Sequence, residues 1–208
     1  MSEGRRLQVK GVRQFEQRQY DEARATFEEA LAALEAENDP VGVAEQRVNI
    51  GLCYRAEEDY DAALEHMQAG LAVFREHDDQ RLIAQALGNM GLVYAKQDNY
   101  EQAQTTYREA ANIFKELDDN DDYAETIMAL ADMYFKAGQL MQAVGTFEAA
   151  LEHVREPNRR QKMAKQLLVV KNRLIGERKD TEETATETTG RESRRQRRLR
   201  RQDQDSTE

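Results

Sequence analysis

The residues that could act as nucleophiles, general bases or metal ligands are few and scattered in this 208-residue sequence. The three histidines, His66, His77 and His153, share no ligand spacing, and Cys53 is the single cysteine. A metal site needs clustered Cys or His ligands, and the sequence has no such cluster. Cys53 follows Gly51 in an apolar helical pattern, which favours a buried structural thiol. We therefore predict no metal site and no cofactor.

Motifs of known catalytic chemistry are also absent. The sequence has no phosphate-cradling glycine loop, no nucleophile elbow and no H-E-x-x-H motif. Its 40 acidic residues are dispersed over positions that the patterns below place on exposed faces or in turns. Dispersed carboxylates are typical of a solvated surface. We therefore predict no catalytic residues, and a protein that is not an enzyme.

The composition favours a helical protein in a reducing compartment. Charged residues make up 34% of the chain, there are only 2 prolines and 11 glycines, and the formal net charge is -10. No apolar run approaches the roughly 18 residues of a membrane span, and the N-terminus lacks the apolar region of a secretory signal. A single cysteine excludes a disulfide framework. These features predict a cytoplasmic protein.

A short motif recurs four times at intervals of 40 residues. Its copies are residues 20–23, 60–63, 100–103 and 140–143, three of which begin with tyrosine and all of which end with alanine. Self-similarity at a fixed period indicates a repeat architecture, in which each unit packs on its neighbours.

Each copy of the motif opens a helix with alternating small and large residues on one face. In the third copy these residues are Ala103, Tyr107, Ala110 and Phe114, whose spacing places them on one side of a helix. The corresponding residues elsewhere are Ala23, Phe27, Ala30 and Leu34; Ala63, Met67, Gly70 and Phe74; and Ala143, Phe147, Ala150 and Val154. This alternation predicts close packing against another helix.

A second amphipathic helix precedes each of these. In the third copy its apolar residues are Ile83, Leu87, Met90 and Tyr94. A small residue follows the third apolar position in every copy: Gly11, Gly51, Gly91 and Ala131. Glycine within a helix costs about 1 kcal/mol relative to alanine, so its recurrence predicts close helix contacts.

Paired helices with these small and large positions resemble the tetratricopeptide repeat (TPR) family. The matching residues are Leu87, Met90, Gly91, Tyr94, Ala103, Tyr107 and Ala110. The usual period is 34 residues, and here it is 40, as in the longer-repeat branch that includes kinesin light chains, spindle-orientation adaptors and bacterial peptide-sensing regulators. The early tryptophan and the closing proline of the common motif are absent.

The resemblance implies an all-α fold, a right-handed α-solenoid over residues 4–176. Its four helix pairs would occupy residues 4–37, 40–77, 80–117 and 120–156. A capping helix is expected at 158–176, because its apolar spacing continues the pattern while Lys171 replaces the small residue. Residues 177–208 form a Thr/Glu linker and an Arg-rich tail that we expect to be disordered.

The resemblance also implies that the first helix of each pair lines a concave groove. The groove residues that we expect to contact a partner are Val12, Asn49, Leu52, Arg55, Asn89, Leu92, Lys96, Asp132 and Lys136. Asn49 and Asn89 match positions where groove-binding relatives hold the backbone of an extended peptide, since an amide offers both a donor and an acceptor. The alternative is that these asparagines only support packing between repeats or hydrate the groove.

Charge is divided unevenly along the chain. Residues 1–157 hold 15 basic and 31 acidic residues, whereas residues 158–176 hold 6 basic residues and no acidic one. Seven arginines lie among the 11 residues from Arg191 to Arg201. Six of them form the densest stretch: Arg194, Arg195, Arg197, Arg198, Arg200 and Arg201. Such a run can bind nucleic acid or another acidic partner through charge, or it can be a solvated tail.

The leading functional hypothesis is a non-enzymatic adaptor and scaffold that binds a peptide or helix of another protein in the groove. A second hypothesis is a nucleic-acid-associated accessory protein that uses the Arg-rich tail. A third is a self-assembling TPR scaffold, in which the first repeat packs on another copy. The oligomeric state is left open by the sequence.

Overall fold

The computed structural model describes residues 1–153. The predicted capping helix and the Arg-rich tail lie outside the described residues. The described part consists of eight α-helices and contains no strand. The helices are α1 (Glu3–Glu16), α2 (Tyr20–Ala36), α3 (Pro40–Ala56), α4 (Tyr60–Glu76), α5 (Gln80–Lys96), α6 (Tyr100–Glu116), α7 (Asn120–Lys136) and α8 (Leu140–His153).

A single turn type repeats every 20 residues and sets the period of the fold. One residue in each turn has a positive φ between 53° and 73°: Arg18, Asn38, Glu58, Asp78, Asp98, Asp118 and Gly138. The N–H of the next residue reaches back to a carbonyl five positions earlier, as Asp39 does to Leu34 at 3.0 Å. This bond satisfies a carbonyl that the helix end would leave unpaired. Two such helices and turns make the 40-residue unit.

Side-chain caps begin most of the helices. Asp39 accepts a hydrogen bond from the N–H of Gly42 at 2.8 Å, and Pro40 occupies the first turn of α3. Asp79 caps α5 in the same way, accepting from Leu82 at 3.1 Å. Each cap satisfies an otherwise orphaned backbone donor at the start of its helix.

The core is formed by the helix faces that the repeat pattern predicts. All twelve small and large positions of the first three motif helices are buried, from Ala23 to Phe114. In the fourth, Ala143 and Ala150 are buried and Phe147 is half-buried, while Val154 lies outside the described residues. Sequence spacing alone therefore identified the buried faces of these helices.

The recurrent glycines allow the two helices of a pair to approach closely. A Cβ atom built on Gly51 would lie 2.9 Å from the backbone oxygen of Ala63. One built on Gly91 would lie 2.9 Å from ring carbons of Tyr107. Both distances are shorter than real Cβ contacts, so a side chain at either position would force the helices apart.

Consecutive helices pack against each other, and the odd-numbered helices also contact the next odd-numbered helix. Within residues 1–153 the even-numbered helices make no such contact with one another. The odd-numbered helices therefore form the inner layer of the solenoid, and the even-numbered helices form the outer layer. No helix in the described part is long and apolar enough to cross a membrane.

Candidate functional site on the concave face

The inner-layer helices α1, α3, α5 and α7 present one face away from the core, which we call the concave face. It carries equivalent residues 40 positions apart, because each repeat places the same helix position beside its neighbour. One such row is Arg5, Glu45, Gln85 and Glu125. The next row, one helical turn on, is Val9, Asn49, Asn89 and Ala129. Neighbouring repeats thus determine whether a polar side chain finds a partner within the chain.

At the α1–α3 end of the concave face, charged residues satisfy one another. The Arg5 guanidinium forms an ion pair with Glu45 and a second with Asp39, with 3.0 Å between Nη2 and Oδ2. It also donates to Gln8 at 3.0 Å. Burial lowers the pKa of Arg5, but Glu45 and Asp39 outweigh this effect and raise it. This end of the face is therefore held together by its own polar groups.

Asn49 is also engaged within the chain. Its amide donates to Oε1 of Gln46 at 3.3 Å, and Gln46 in turn donates to the carbonyl of Gly42 at 3.1 Å. Gln46 is completely buried. Because a buried amide oxygen without a partner is costly, Asn49 has a packing role here. Asn49 therefore already has a hydrogen-bond partner within its own helix.

The α5–α7 end of the concave face is different, because it contains an open cavity of about 240 Å³. The cavity is lined by Ala84, Gln85, Gly88, Asn89 and Leu92 of α5, by Tyr107 and Phe114 of α6, and by Asp122, Glu125, Thr126 and Ala129 of α7. A Cβ built on Gly88 would meet no atom within 4 Å, so this glycine leaves space rather than allowing a close contact. The cavity therefore exists partly because α5 has no side chain there.

The polar side chains of this cavity are largely free of partners in the described part of the chain. The side chains of Gln85, Asn89 and Glu125 make no hydrogen bond or ion pair there, in contrast to Asn49 and Arg5. In α5 the position of Gln46 is taken by Ala86, which is buried and cannot accept a hydrogen bond through its side chain. The amide of Asn89 consequently has no partner within its own helix, unlike that of Asn49.

Acidic groups dominate the electrostatics at the α7 side of the cavity. Burial, followed by the neighbouring charge of Asp119, raises the pKa of Asp122, and Arg81 only partly opposes this. Arg81 is paired with Asp119, and its Nη1 atom lies 3.7 Å from Oδ2 of Asp122. Among residues 1–153, no basic residue lines the cavity itself. The charged form of Asp122 would therefore be favoured by an additional cation.

Tyr107 of α6 also lines the cavity. Tyr107 is only 2% exposed, and its hydroxyl makes no hydrogen bond within residues 1–153. Burial raises the pKa of Tyr107, the charge of Arg55 opposes this shift, and Asp132 adds to it. Burial likewise lowers the pKa of Arg55. Arg55 and Asp132, predicted as groove residues, thus lie close enough to Tyr107 for their charges to influence it.

The other predicted groove residues are spread over the same face. Val12 is 40% exposed on α1, and Leu52 and Leu92 are half-buried. Lys96 and Lys136 are exposed at the ends of α5 and α7. The tail arginines, Arg194 to Arg201, lie outside the described residues. Of the residues that line the cavity, only Asn89 and Leu92 were predicted as site residues, and Gln85 and Glu125 were not. Comparison of residues 40 apart would have flagged Gly88, where the other repeats have Gln8, Val48 and Met128.

Residues 1–153 contain no group of three or more His, Cys, Asp or Glu side chains placed to hold a metal ion. Cys53 is completely buried, and burial raises the pKa of its thiol to about 12. A thiol is a poor nucleophile unless it is deprotonated. Cys53 therefore behaves as a structural residue.

Solved structures with the same architecture come from several proteins. BtubC (BKLC) from P. vanneervenii is 19% identical with a TM-score of 0.64, over 74% of this chain and 66% of that one. The nearly identical TPR-like repeats from Podosopora anserina are 15% identical with a TM-score of 0.65, over 86% of this chain and 90% of that one. A Rap protein complexed with Competence and Sporulation Factor is 17% identical with a TM-score of 0.64.

These likenesses establish the fold. The match to the Rap protein includes 71% of this chain but only 41% of the Rap protein. No curated protein sequence matches the chain. The family model described as "Tetratricopeptide repeat" matches residues 11–76 and 82–156, which together are more than half of the chain. The repeats, the buried faces and this match agree, and the chain belongs to the tetratricopeptide repeat family.

Proposed function

We propose that this protein is a non-enzymatic adaptor that binds a peptide or helix of another protein on its concave face. The observation that carries the proposal is the unsatisfied polar surface at the α5–α7 end of that face. Gln85, Asn89 and Glu125 surround an open cavity and have no partner in the described part of the chain. Side chains that only support packing would be bonded within the fold, as Asn49 is.

The cavity has the mixture of surfaces that peptide recognition requires. Leu92, Phe114 and Ala129 offer apolar contacts, and the amides of Gln85 and Asn89 offer both donors and acceptors. Each hydrogen bond to a peptide contributes roughly 0.5–1.5 kcal/mol net. The apolar surface must therefore supply much of the affinity, and we expect dissociation constants in the micromolar range, about 1 μM to 100 μM.

The known structures give the proposal a precedent at the level of the fold. The Rap protein was solved in complex with Competence and Sporulation Factor. A solenoid of this architecture can therefore hold another molecule. Because the identity to that protein is only 17%, the ligand of this chain has to be found by experiment.

The test is affinity capture from nuclease-treated native lysate with four baits. These are the full chain, a truncation after Arg178, the groove variant Gln85→Ala/Asn89→Ala, and the matched variant Gln102→Ala/Asn112→Ala. The matched residues are an exposed glutamine and an exposed asparagine on α6. Circular dichroism melts confirm that each bait is folded.

The proposal predicts a protein that is retained by the truncation and by the matched variant and lost from the groove variant. A partner that is lost on truncation or nuclease treatment, and is indifferent to Gln85 and Asn89, would contradict the proposal. That result would instead assign binding to the arginine tail.

A further inference from the structure

We infer that the cavity between α5 and α7 is a specificity pocket for one basic side chain, arginine or lysine, of the bound peptide. This inference rests on the proposed function and names the chemistry of the partner. It comes from the contents of the cavity, its size, and the absence of a basic group among its lining residues.

The size of the cavity corresponds to one side chain. Its volume of about 240 Å³ is below the roughly 300 Å³ at which small-molecule sites begin. It equals the share of about eight liquid water molecules at about 30 Å³ each. A single long side chain can therefore fill it, while a folded element cannot.

The distribution of polar and apolar groups selects a long cationic side chain. Leu92, Phe114 and the ring of Tyr107 form an apolar wall, while Asp122 and Glu125 carry two negative charges. Arginine and lysine bury an apolar stem and keep a charged head at polar groups. An acidic side chain would be repelled by both carboxylates. A neutral apolar side chain would remove water from them without supplying a counter-charge.

The three acidic groups at and beside the cavity, Asp119, Asp122 and Glu125, are not equally available to a ligand. Asp119 is already paired with Arg81. Asp122 interacts with Arg81 only at 3.7 Å, and Glu125 has no ion pair within residues 1–153. A ligand cation would therefore gain a carboxylate at Glu125 without breaking an existing bridge.

A second observation, independent of the carboxylates, also indicates a ligand with hydrogen-bonding groups. Tyr107 lines the cavity and is only 2% exposed. Its hydroxyl has no hydrogen-bond partner in residues 1–153. The hydroxyl oxygen is not closed off from solvent, since the fully buried side-chain atoms without a partner in residues 1–153 are Gln14 Oε1 and His66 Nδ1. It is therefore open to a donor from the bound peptide, such as a backbone N–H.

The equivalent space between α3 and α5 has no such character. There Val48 occupies the position of Gly88, and Leu82 and Gln85 replace Asp122 and Glu125. Between α1 and α3, Glu45 has the position of Glu125 but is already paired with Arg5. Within residues 1–153 the chemistry for a basic side chain is thus confined to the α5–α7 junction. This predicts a fixed position for the basic residue in the bound peptide.

The probe for this inference is a phage-displayed library of random twelve-residue peptides, selected on the full chain at physiological salt. A selected peptide is then synthesised and titrated by fluorescence anisotropy. We expect arginine or lysine to be enriched at one position. We expect Glu125→Gln and Asp122→Asn each to weaken binding by about threefold to fivefold, because Glu125 is exposed and Asp122 is half-buried.

A charge reversal gives the sharpest readout. Selection on Glu125→Lys is expected to replace the basic residue at that position by aspartate or glutamate, which a structural defect would not do. The matched variant is Glu101→Lys, which makes the same charge change at an exposed position of α6. It is expected to keep the dissociation constant within about twofold.

The outcomes separate this inference from the function on which it rests. Peptides that lose binding in Leu52→Ala, but show no basic position and no response to Glu125→Lys, would overturn the pocket and leave the groove function intact. Basic peptides that respond equally to Glu101→Lys and Glu125→Lys would show diffuse attraction to an acidic protein and overturn the pocket. A selection without any peptide that depends on Leu52, Gln85 or Asn89 would overturn the proposed function.

Discussion

The two ends of the concave face are built from the same repeat and differ in how their polar groups are satisfied. At the α1–α3 end, Arg5 pairs with Glu45, and Asn49 bonds to the buried Gln46. At the α5–α7 end, Gln85 and Asn89 have no partner within residues 1–153. The same helix positions are thus bonded within the chain in one unit and left without a partner in another, and we propose that the second set contacts the ligand.

The two glycines of α5 give the largest expected difference between packing positions and open positions. Gly91→Ala would place a Cβ 2.9 Å from the Tyr107 ring, and we expect it to lower the free energy of unfolding by about 1–2 kcal/mol. Gly88→Ala enters open space and should raise it by about 0.5–1 kcal/mol. Urea denaturation of the two variants measures both effects. Equal changes would contradict the different packing of these positions.

Removal of a charged side chain should affect the two ends unequally. Arg5→Ala leaves the half-buried Glu45 without its partner, and we expect a loss of about 1 kcal/mol because the pair is partly solvated. Glu125→Gln breaks no ion pair in the described part of the chain and should change stability by less than about 0.5 kcal/mol. Thermal melts compare the two. A larger loss for Glu125→Gln would show that Glu125 has a structural partner.

Asn49 and Asn89 allow the two ends of the concave face to be compared with the same substitution, asparagine to alanine. Asn49→Ala removes the donor to the buried Gln46 amide oxygen and should cost about 0.5–1.5 kcal/mol. Asn89→Ala removes no internal hydrogen bond, and we expect a change within about 0.5 kcal/mol. Denaturation at one pH and salt concentration is sufficient for this measurement. If both variants were equally destabilised, Asn89 would have to be reassigned to packing.

The smallest expected effect is a dependence of stability on pH through His66, whose ring packs against Tyr54. His66 stacks on Tyr54 with 5.3 Å between ring centroids, and its buried Nδ1 has no partner within residues 1–153. Burial, with the charge of Arg47, lowers the pKa of His66, although Glu65 and Glu28 oppose this. The unfolded chain therefore binds the proton more readily, and stability should fall as the pH drops below about 6.5.

The variant His66→Gln isolates this contribution from that of the carboxylates. It should lose less stability than the wild type between pH 7 and pH 5, because it removes one group that protonates more readily in the unfolded chain. Denaturation midpoints at several pH values give the comparison. Identical pH dependence in the two proteins would contradict the role of His66.

The sequence was sufficient for the fold because the decisive signals were local. The spacing of Ala103, Tyr107, Ala110 and Phe114 places them on one helix face whatever the neighbouring repeats contain. The recurrence of the motif then fixes how the helices stack. The glycines at Gly51 and Gly91 revealed close contacts for the same reason, since each acts within one helix pair.

The site was only partly predictable because it depends on which residue stands beside each polar side chain, both within a helix and across repeats. Asn49 and Asn89 occupy equivalent positions, but Gln46 binds Asn49 from three residues earlier in the same helix, whereas the side chain of Ala86 cannot bind Asn89. The ion pair of Arg5 and Glu45 joins two repeats. A cavity that results from a missing side chain at Gly88 becomes visible only when the helices are in place.

Site-specific photo-crosslinking in native cells tests the central claim most directly. A photoreactive amino acid is introduced at Gln85, which lines the cavity, or at Gln102, an exposed position on α6. We predict a discrete protein adduct from position 85, absent from position 102 and lost when Asn89→Ala is added. No adduct at position 85, or the same adduct from both positions, would contradict binding on the concave face.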